Sequence, residues 1–151
     1  MKRTLITEND VCDAVARWLT TRGLELEEPP RRTDQRGVDI VAKGFGERWF
    51  IEAKGETSSK PSSAKYEKGF TNGQLQIHVA RAFYTAAKLR CGRPDEYTRV
   101  LMALPATDAS KSAVSHIKDA LLKLRIDVLW VAMLSGAGTL SVEPWPEGRF
   151  E

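Results

Sequence analysis

The chain has 151 residues, enough for a single domain that buries a proper core. Lys and Arg number 23 against 20 Asp and Glu; a net charge of +3 is small for a general nucleic-acid binder, so its placement matters more than its sum. No apolar run of about 18 residues exists, which excludes a membrane-spanning helix.

Met1 to Ile6 carries no apolar segment of the kind that directs secretion. The two cysteines, Cys12 and Cys91, are too few for a disulfide framework and lack metal-site spacing. A cytoplasmic protein is the expectation. In chain order, Thr7 to Arg22 predicts a helix, capped by Thr7 with Asp10 three residues on. Its apolar stripe is Val11, Ala14, Val15, Trp18 and Leu19, and Gly23 is a stop signal. Leu24 to Glu28 alternates as a short edge strand would, and Pro29-Pro30 ends it.

Gly37 to Lys43 and Arg48 to Lys54 predict two strands, joined by a hairpin through Lys43-Gly44-Phe45-Gly46-Glu47. Gly55 to Gly73 is polar, holds Pro61, and predicts a long loop or flexible arm. A helix follows over Gln74 to Arg90, with Leu75, Val79, Phe83, Ala86 and Ala87 inward. Arg99 to Leu104 predicts a buried strand, and Asp108 to Leu124 one helix with Ala113, Ile117, Leu121 and Leu124 on its apolar face. Ile126 to Leu134 is the most apolar run and predicts a strand; Gly136 and Gly138 turn the chain into Leu140 to Val142. With no repeat and no linker, residues 1–151 predict one α/β domain with helices on both faces of a mixed sheet.

The two strands from Gly37 to Lys54 carry acids among apolar residues, where a lone buried carboxylate is costly and usually keeps a partner or a metal. Glu52 and Lys54 are two apart and so share a face; Ile51 and Ala53 take the other, suited to packing under a helix. The hairpin would lay Asp39 near Glu52. Two carboxylates and an ammonium meeting at a sheet end suit a divalent cation and an anionic substrate.

Gly37-Val38-Asp39, twelve intervening residues, and Glu52-Ala53-Lys54 resemble the signature of the PD-(D/E)xK nuclease superfamily, with its restriction-endonuclease-like fold, particularly the Mrr-like and Holliday-junction-resolvase-like branches. The proline of that signature is replaced by Val38. The resemblance covers roughly residues 5 to 105 and implies an α-β-β-β-α-β core, with the C-terminal helix and two strands as a peripheral addition. It implies a metal-dependent endonuclease, with DNA rather than RNA as the expected substrate. Asp39, Glu52 and the Ala53 carbonyl would hold Mg²⁺ or Mn²⁺, with Lys54 stabilising charge on the phosphate. Carboxylate neighbours favour the charged form of an amine, so that role is preferred to that of a free base.

Two further positions match the related families. Glu8 occupies the place of an acid on the first helix that faces the metal site; its bland reading is that an acid in a first turn complements the helix dipole. Gln74 matches a glutamine that begins the second helix and positions phosphate; its bland reading is an exposed helix former. His78, one turn later, is read as partly buried structure. Glu56 continues the alternation of Glu52 and Lys54 but is read as solvated. Trp18 and Trp130 belong to core stripes; Trp49 and Trp145 could stack on a base, but the bland reading is preferred. Arg31, Arg32, Arg36, Lys60, Lys65 and Lys68 flank the two strands and could line a phosphate track. A homodimer is compatible with cutting two strands, and a targeting partner with the lack of a second domain. The alternative is a catalytically inactive nucleic-acid-binding module, or a subunit of a larger defence or repair complex, on the same fold.

Overall fold

A computed structural model describes residues 5–30, 37–57, 68–134 and 138–148. Helix α1 (Glu8–Thr21) starts where the sequence requires. The Thr7 hydroxyl accepts the Asp10 N–H at 3.0 Å, and the Asp10 carboxylate accepts the Thr7 N–H at 2.9 Å. This reciprocal cap satisfies two amides that the helix itself leaves unpaired. Strand β1 (Glu25–Leu26) is a two-residue edge. It pairs with β2 (Ile40–Gly44), which turns back into β3 (Glu47–Ala53). Phe45 and Gly46 both have positive φ, 55° and 77°, the backbone that a two-residue hairpin turn demands.

Helix α2 (Asn72–Gly92) carries the chain over to β4 (Thr98–Pro105), parallel to β3. Two short helices, α3 (Asp108–His116) and α4 (Lys118–Leu124), then lead to β5 (Ile126–Met133), parallel to β4, and β6 (Leu140–Trp145) closes the sheet antiparallel. The sheet order is β1-β2-β3-β4-β5-β6. The order α1-β1-β2-β3-α2-β4 is the α-β-β-β-α-β core expected, so the fold is α/β and restriction-endonuclease-like.

Alternation splits the core in two. Trp49, Ile51, Ala53, Leu101, Ala103, Leu129 and Val131 face α1. Val100, Met102, Leu104, Ile126 and Val128 face α2, α3 and α4. Each fully buried aliphatic side chain is worth about 1.5–3 kcal/mol, so this double core can support a cluster of charges that works against folding.

Three expectations change. Residues 108–124 form two helices, because Ile117 leaves the helical backbone (φ −115°, ψ 12°) and its N–H bonds Val114. No Gly or Pro marks that break, and the apolar stripe runs through it unbroken. Strand β5 is also no peripheral addition: it lies inside the sheet, and Val128, Leu129 and Val131 are fully buried. Strand β2 begins at Ile40 instead of Gly37, since Gly37 (φ 108°) and Asp39 form a bend ahead of it. Of the expected loop from Gly55 to Gly73, residues 58–67, with Lys60 and Lys65, lie outside the described residues, as do Arg31, Arg32 and Arg36. Among the described residues, no helix is long and apolar enough to cross a membrane.

Candidate active site

The register Ile40↔Ile51 puts Asp39, one residue before β2, across from Glu52 near the end of β3. The Asp39 carboxylate accepts the Ala53 N–H at 2.7 Å, standing in for the strand that has not yet begun. The Glu52 carboxyl stands close enough that each group perturbs the other's titration. Lys54 Nζ lies 3.7 Å from Glu52 Oε1, so the shared face expected of Glu52 and Lys54 is the one adopted. Ile51 and Ala53 are buried under α1, on the opposite face.

The Ala53 carbonyl is aimed by the sheet. The Lys54 N–H donates to the Ala103 carbonyl of β4 at 3.0 Å. In a trans peptide the preceding C=O points the opposite way, so the Ala53 oxygen leaves β3 on the side where Asp39 sits.

Glu8 reaches the site from the first residue of α1. A β-carbon at Gly55 would collide with the backbone of Thr7 and Glu8, so only glycine lets the helix start press against the chain just past β3. Glu56 fastens the same junction. Its N–H donates to the Ile6 carbonyl at 2.8 Å, and its carboxylate accepts the Ile6 N–H at 2.9 Å. Glu56 is therefore 2% exposed, contrary to the solvated reading, because it serves as a backbone partner for the segment that leads into α1.

The electrostatics follow from placing acids here. Burial first, and then the Asp39 charge, push the Glu8 carboxyl from 4.5 up to about 7. Burial and then Asp39 push Glu52 up to about 7, with Glu8 adding a smaller push, while burial raises Asp39 against the pull of the Ala53 N–H and Lys54. Lys54 opposes the rise in all three but does not cancel it. An opposite charge close by favours the ionised form of such carboxyls.

The donors fit a hard divalent ion: two carboxylates and a carbonyl oxygen on one side suit a Mg²⁺ that keeps most of its waters. Among the described residues, no three His, Cys, Asp or Glu side chains are grouped so as to hold a metal ion. Glu8 is thus close enough for its charge to be felt at Asp39 and Glu52, but it stands apart from them.

Gln74 is not the first residue of α2. The helix starts at Asn72, capped by Thr71, and Gln74 is its third residue. The Gln74 side-chain oxygen accepts the Thr71 N–H at 2.8 Å, and the Thr71 hydroxyl accepts the Gln74 N–H at 3.2 Å. The Thr-x-x-Gln pattern that signals such a cap is legible in the sequence.

His78 Nδ1 is buried with no hydrogen-bond partner among the described residues, and its ring meets Phe70 edge-on at 4.4 Å. Burial and then the Lys54 charge lower its pKa, which places it beside the site. Trp49 is 3% exposed in the α1-side core and Trp145 packs against the other, so neither is offered to a base. Lys68 is exposed.

One feature has no counterpart among the expected residues. An open groove of about 500 Å³ runs from Lys54 along α2 past Ile77, Ala80, Arg81, Tyr84 and Thr85. Motif spacing does not mark it. The lack of any Asp or Glu between Asn72 and Gly92, in a chain with 20 acids, is the signal that could have.

No family model matches the chain, and neither does any curated protein. Among solved structures the chain is similar to an XisH family protein from Nostoc punctiforme PCC 73102. The match has 17% identity, 87% coverage of this chain, 95% coverage of that one and a TM-score of 0.48. It is also similar to SfsA of Pyrococcus furiosus, solved in complex with Ca²⁺, at 16% identity and a TM-score of 0.37. That match covers 90% of this chain but only 59% of SfsA. Both TM-scores fall below 0.5, so the function has to be argued from the site itself.

Proposed function

We propose that the chain is a metal-dependent endonuclease of the PD-(D/E)xK type that hydrolyses phosphodiester bonds in DNA. The observation that carries this reading is the meeting of Asp39, Glu52 and Lys54 at the end of β3, with the Ala53 carbonyl turned to the same side and Glu8 brought in from α1. Asp39, Glu52 and the Ala53 carbonyl would hold Mg²⁺ or Mn²⁺, which supplies Lewis acidity toward a phosphate oxygen and toward water.

The chain's own groups do the rest. Hydrolysis joins a water oxygen to phosphorus and breaks the bond to the leaving strand end, which takes up a proton. Negative charge grows on the phosphate oxygens on the way, and the Lys54 ammonium, paired with Glu52, would oppose that charge. The Ala53 N–H fixes one oxygen of Asp39 and so orients the carboxylate. Glu8, near enough to exchange electrostatic effects with Asp39 and Glu52, would orient the attacking water. The buried core beneath, from Ile51 to Leu101, keeps these atoms from drifting.

The test is incubation of labelled linear DNA with wild type and Asp39→Asn, in Mg²⁺, in Mn²⁺ and in EDTA. Wild type cuts with either cation and not in EDTA, and Asp39→Asn loses at least about a hundredfold in rate. Cleavage that persists in Asp39→Asn would remove Asp39 from the chemistry. Folded wild type that binds DNA but never cuts it would favour a non-catalytic binding module.

A further inference from the structure

We infer that the groove along α2 is the track for an unpaired DNA strand, with Tyr84 as its stacking platform and Arg81 and Lys88 as its phosphate contacts. The inference rests on the reading of Lys54 as the catalytic ammonium, because the groove begins there. Ile77, Arg81, Tyr84 and Lys88 follow one another at three- and four-residue steps, so they form a single stripe on the helix. Its ends, Ile77 and Lys88, are eleven positions apart, a reach of about 16 Å at 1.5 Å per residue.

The stripe is unlike an ordinary solvated helix face. Tyr84 is 65% exposed and Ile77 is 52% exposed, while Arg81 and Lys88 are exposed between and beyond them. Lys88 Nζ lies 4.9 Å from the Tyr84 ring centroid, so the aromatic face and a positive charge are presented together. Neither the groove lining nor the helix from Asn72 to Gly92 carries a carboxylate, so this stripe of α2 presents only neutral and positive groups. Aromatic faces interleaved with basic groups are what a single strand requires: bases stack on the rings while phosphates meet the cations. A base paired in a duplex has no free face for Tyr84, so the geometry favours an unpaired segment, such as a single strand, a flap or a frayed end.

The experiment is fluorescence anisotropy of a labelled oligothymidylate and of a mixed-sequence duplex, in EDTA so that no turnover intervenes. Tyr84→Ala weakens oligothymidylate binding by about tenfold or more, while Tyr84→Phe, which keeps the ring, stays within about twofold of wild type. Removing Arg81 and Lys88 together reduces the slope of log K against log salt by about 1.4, from roughly 0.7 per single-strand phosphate contact.

Three outcomes would overturn the inference. One is no oligothymidylate binding by wild type; a second is unchanged affinity in all the variants. The third is a wild-type dimer that Tyr84→Glu dissociates without altering oligonucleotide affinity, which would make the stripe a self-association face. Tyr84-dependent binding by a protein that never cuts DNA would uphold the track and sink the nuclease reading. Cleavage with unchanged binding in the variants would do the reverse.

Discussion

At the scale of single residues, the site is a place where the chain works against its own stability. Glu8 and Glu52 each have a folded-state pKa raised from 4.5 to about 7, chiefly by burial. The folded state therefore binds protons more tightly than the unfolded one. That contribution to stability is complete below about pH 4.5 and is lost as the pH rises through about 7. Glu8→Gln removes its share of the loss. In EDTA the variant should melt above wild type at pH 8, by the equivalent of about 1–2 kcal/mol after allowing for solvent screening, and the gap should close toward pH 4. Thermal melts across that range decide it. A variant that melts lower at pH 8 would mean that the carboxylate is supported there by contacts it cannot lose.

Residue identity made part of this legible in advance. Strand alternation fixes Glu52 and Lys54 on one face, and the hairpin brings Asp39 opposite, so spacing alone was enough to assemble the three. Glu56 departs from the solvated reading, which holds for most carboxylates past a strand end; only the fold reveals that the Ile6 N–H needs it. Arg90 was invisible for the same reason. Late in α2, where a solvated arginine is ordinary, it is buried and donates to the carbonyls of Thr98, Leu124 and Arg125, each at 2.9 Å.

At the scale of elements, the starts of two helices decide what the site receives. Gln74 completes the cap of α2, so its side-chain oxygen is already engaged. Gln74→Ala should cost about 0.5–1 kcal/mol through the weakened cap. Gln74→Glu preserves an acceptor at the third helical position and should hold stability near wild type while removing the amide donors. Comparing melts and cleavage rates of the two variants separates the roles. A rate that falls in Gln74→Glu at unchanged stability supports a phosphate contact, and a rate that follows stability alone leaves Gln74 as a cap.

The start of α1 is held by close approach. Gly55→Ala would drive a methyl group into the Thr7 and Glu8 backbone, and overpacking of this kind typically costs about 1–3 kcal/mol. Urea denaturation should show that loss, and cation affinity should weaken with it as Glu8 shifts. Unchanged stability would mean that the junction is free to move. The glycine was visible in the sequence, but its purpose depends on a contact between residues nearly fifty positions apart. Periodicity likewise could not foresee the break at Ile117, because the apolar stripe does not change there.

At the scale of the whole molecule, one sheet separates two duties. Its α1 face carries most of the tight packing and brings Glu8 to the end of β3. Its other face holds Glu52 and Lys54 beside α2, where the exposed stripe of Ile77, Arg81 and Tyr84 begins. Parallel pairing of β3, β4 and β5 makes the centre rigid, and the hairpin to β2 sets the register that aligns Asp39. The overall order of elements could be read from hydrophobic runs. The depth of β5 and the α2 groove could not, since both depend on which elements become neighbours.

The central claim is that Asp39, Glu52 and Lys54 form a working centre, and Lys54 tests it most directly because it need not bind the metal. The measurement is the single-turnover rate of DNA cleavage in Mn²⁺ for wild type and Lys54→Ala, alongside Mn²⁺ affinity by calorimetry. The account predicts a rate lower by about a hundredfold or more, with Mn²⁺ affinity and melting temperature close to wild type. Cleavage by Lys54→Ala at the wild-type rate, or no Mn²⁺-dependent cleavage by wild type on any DNA substrate, would contradict it.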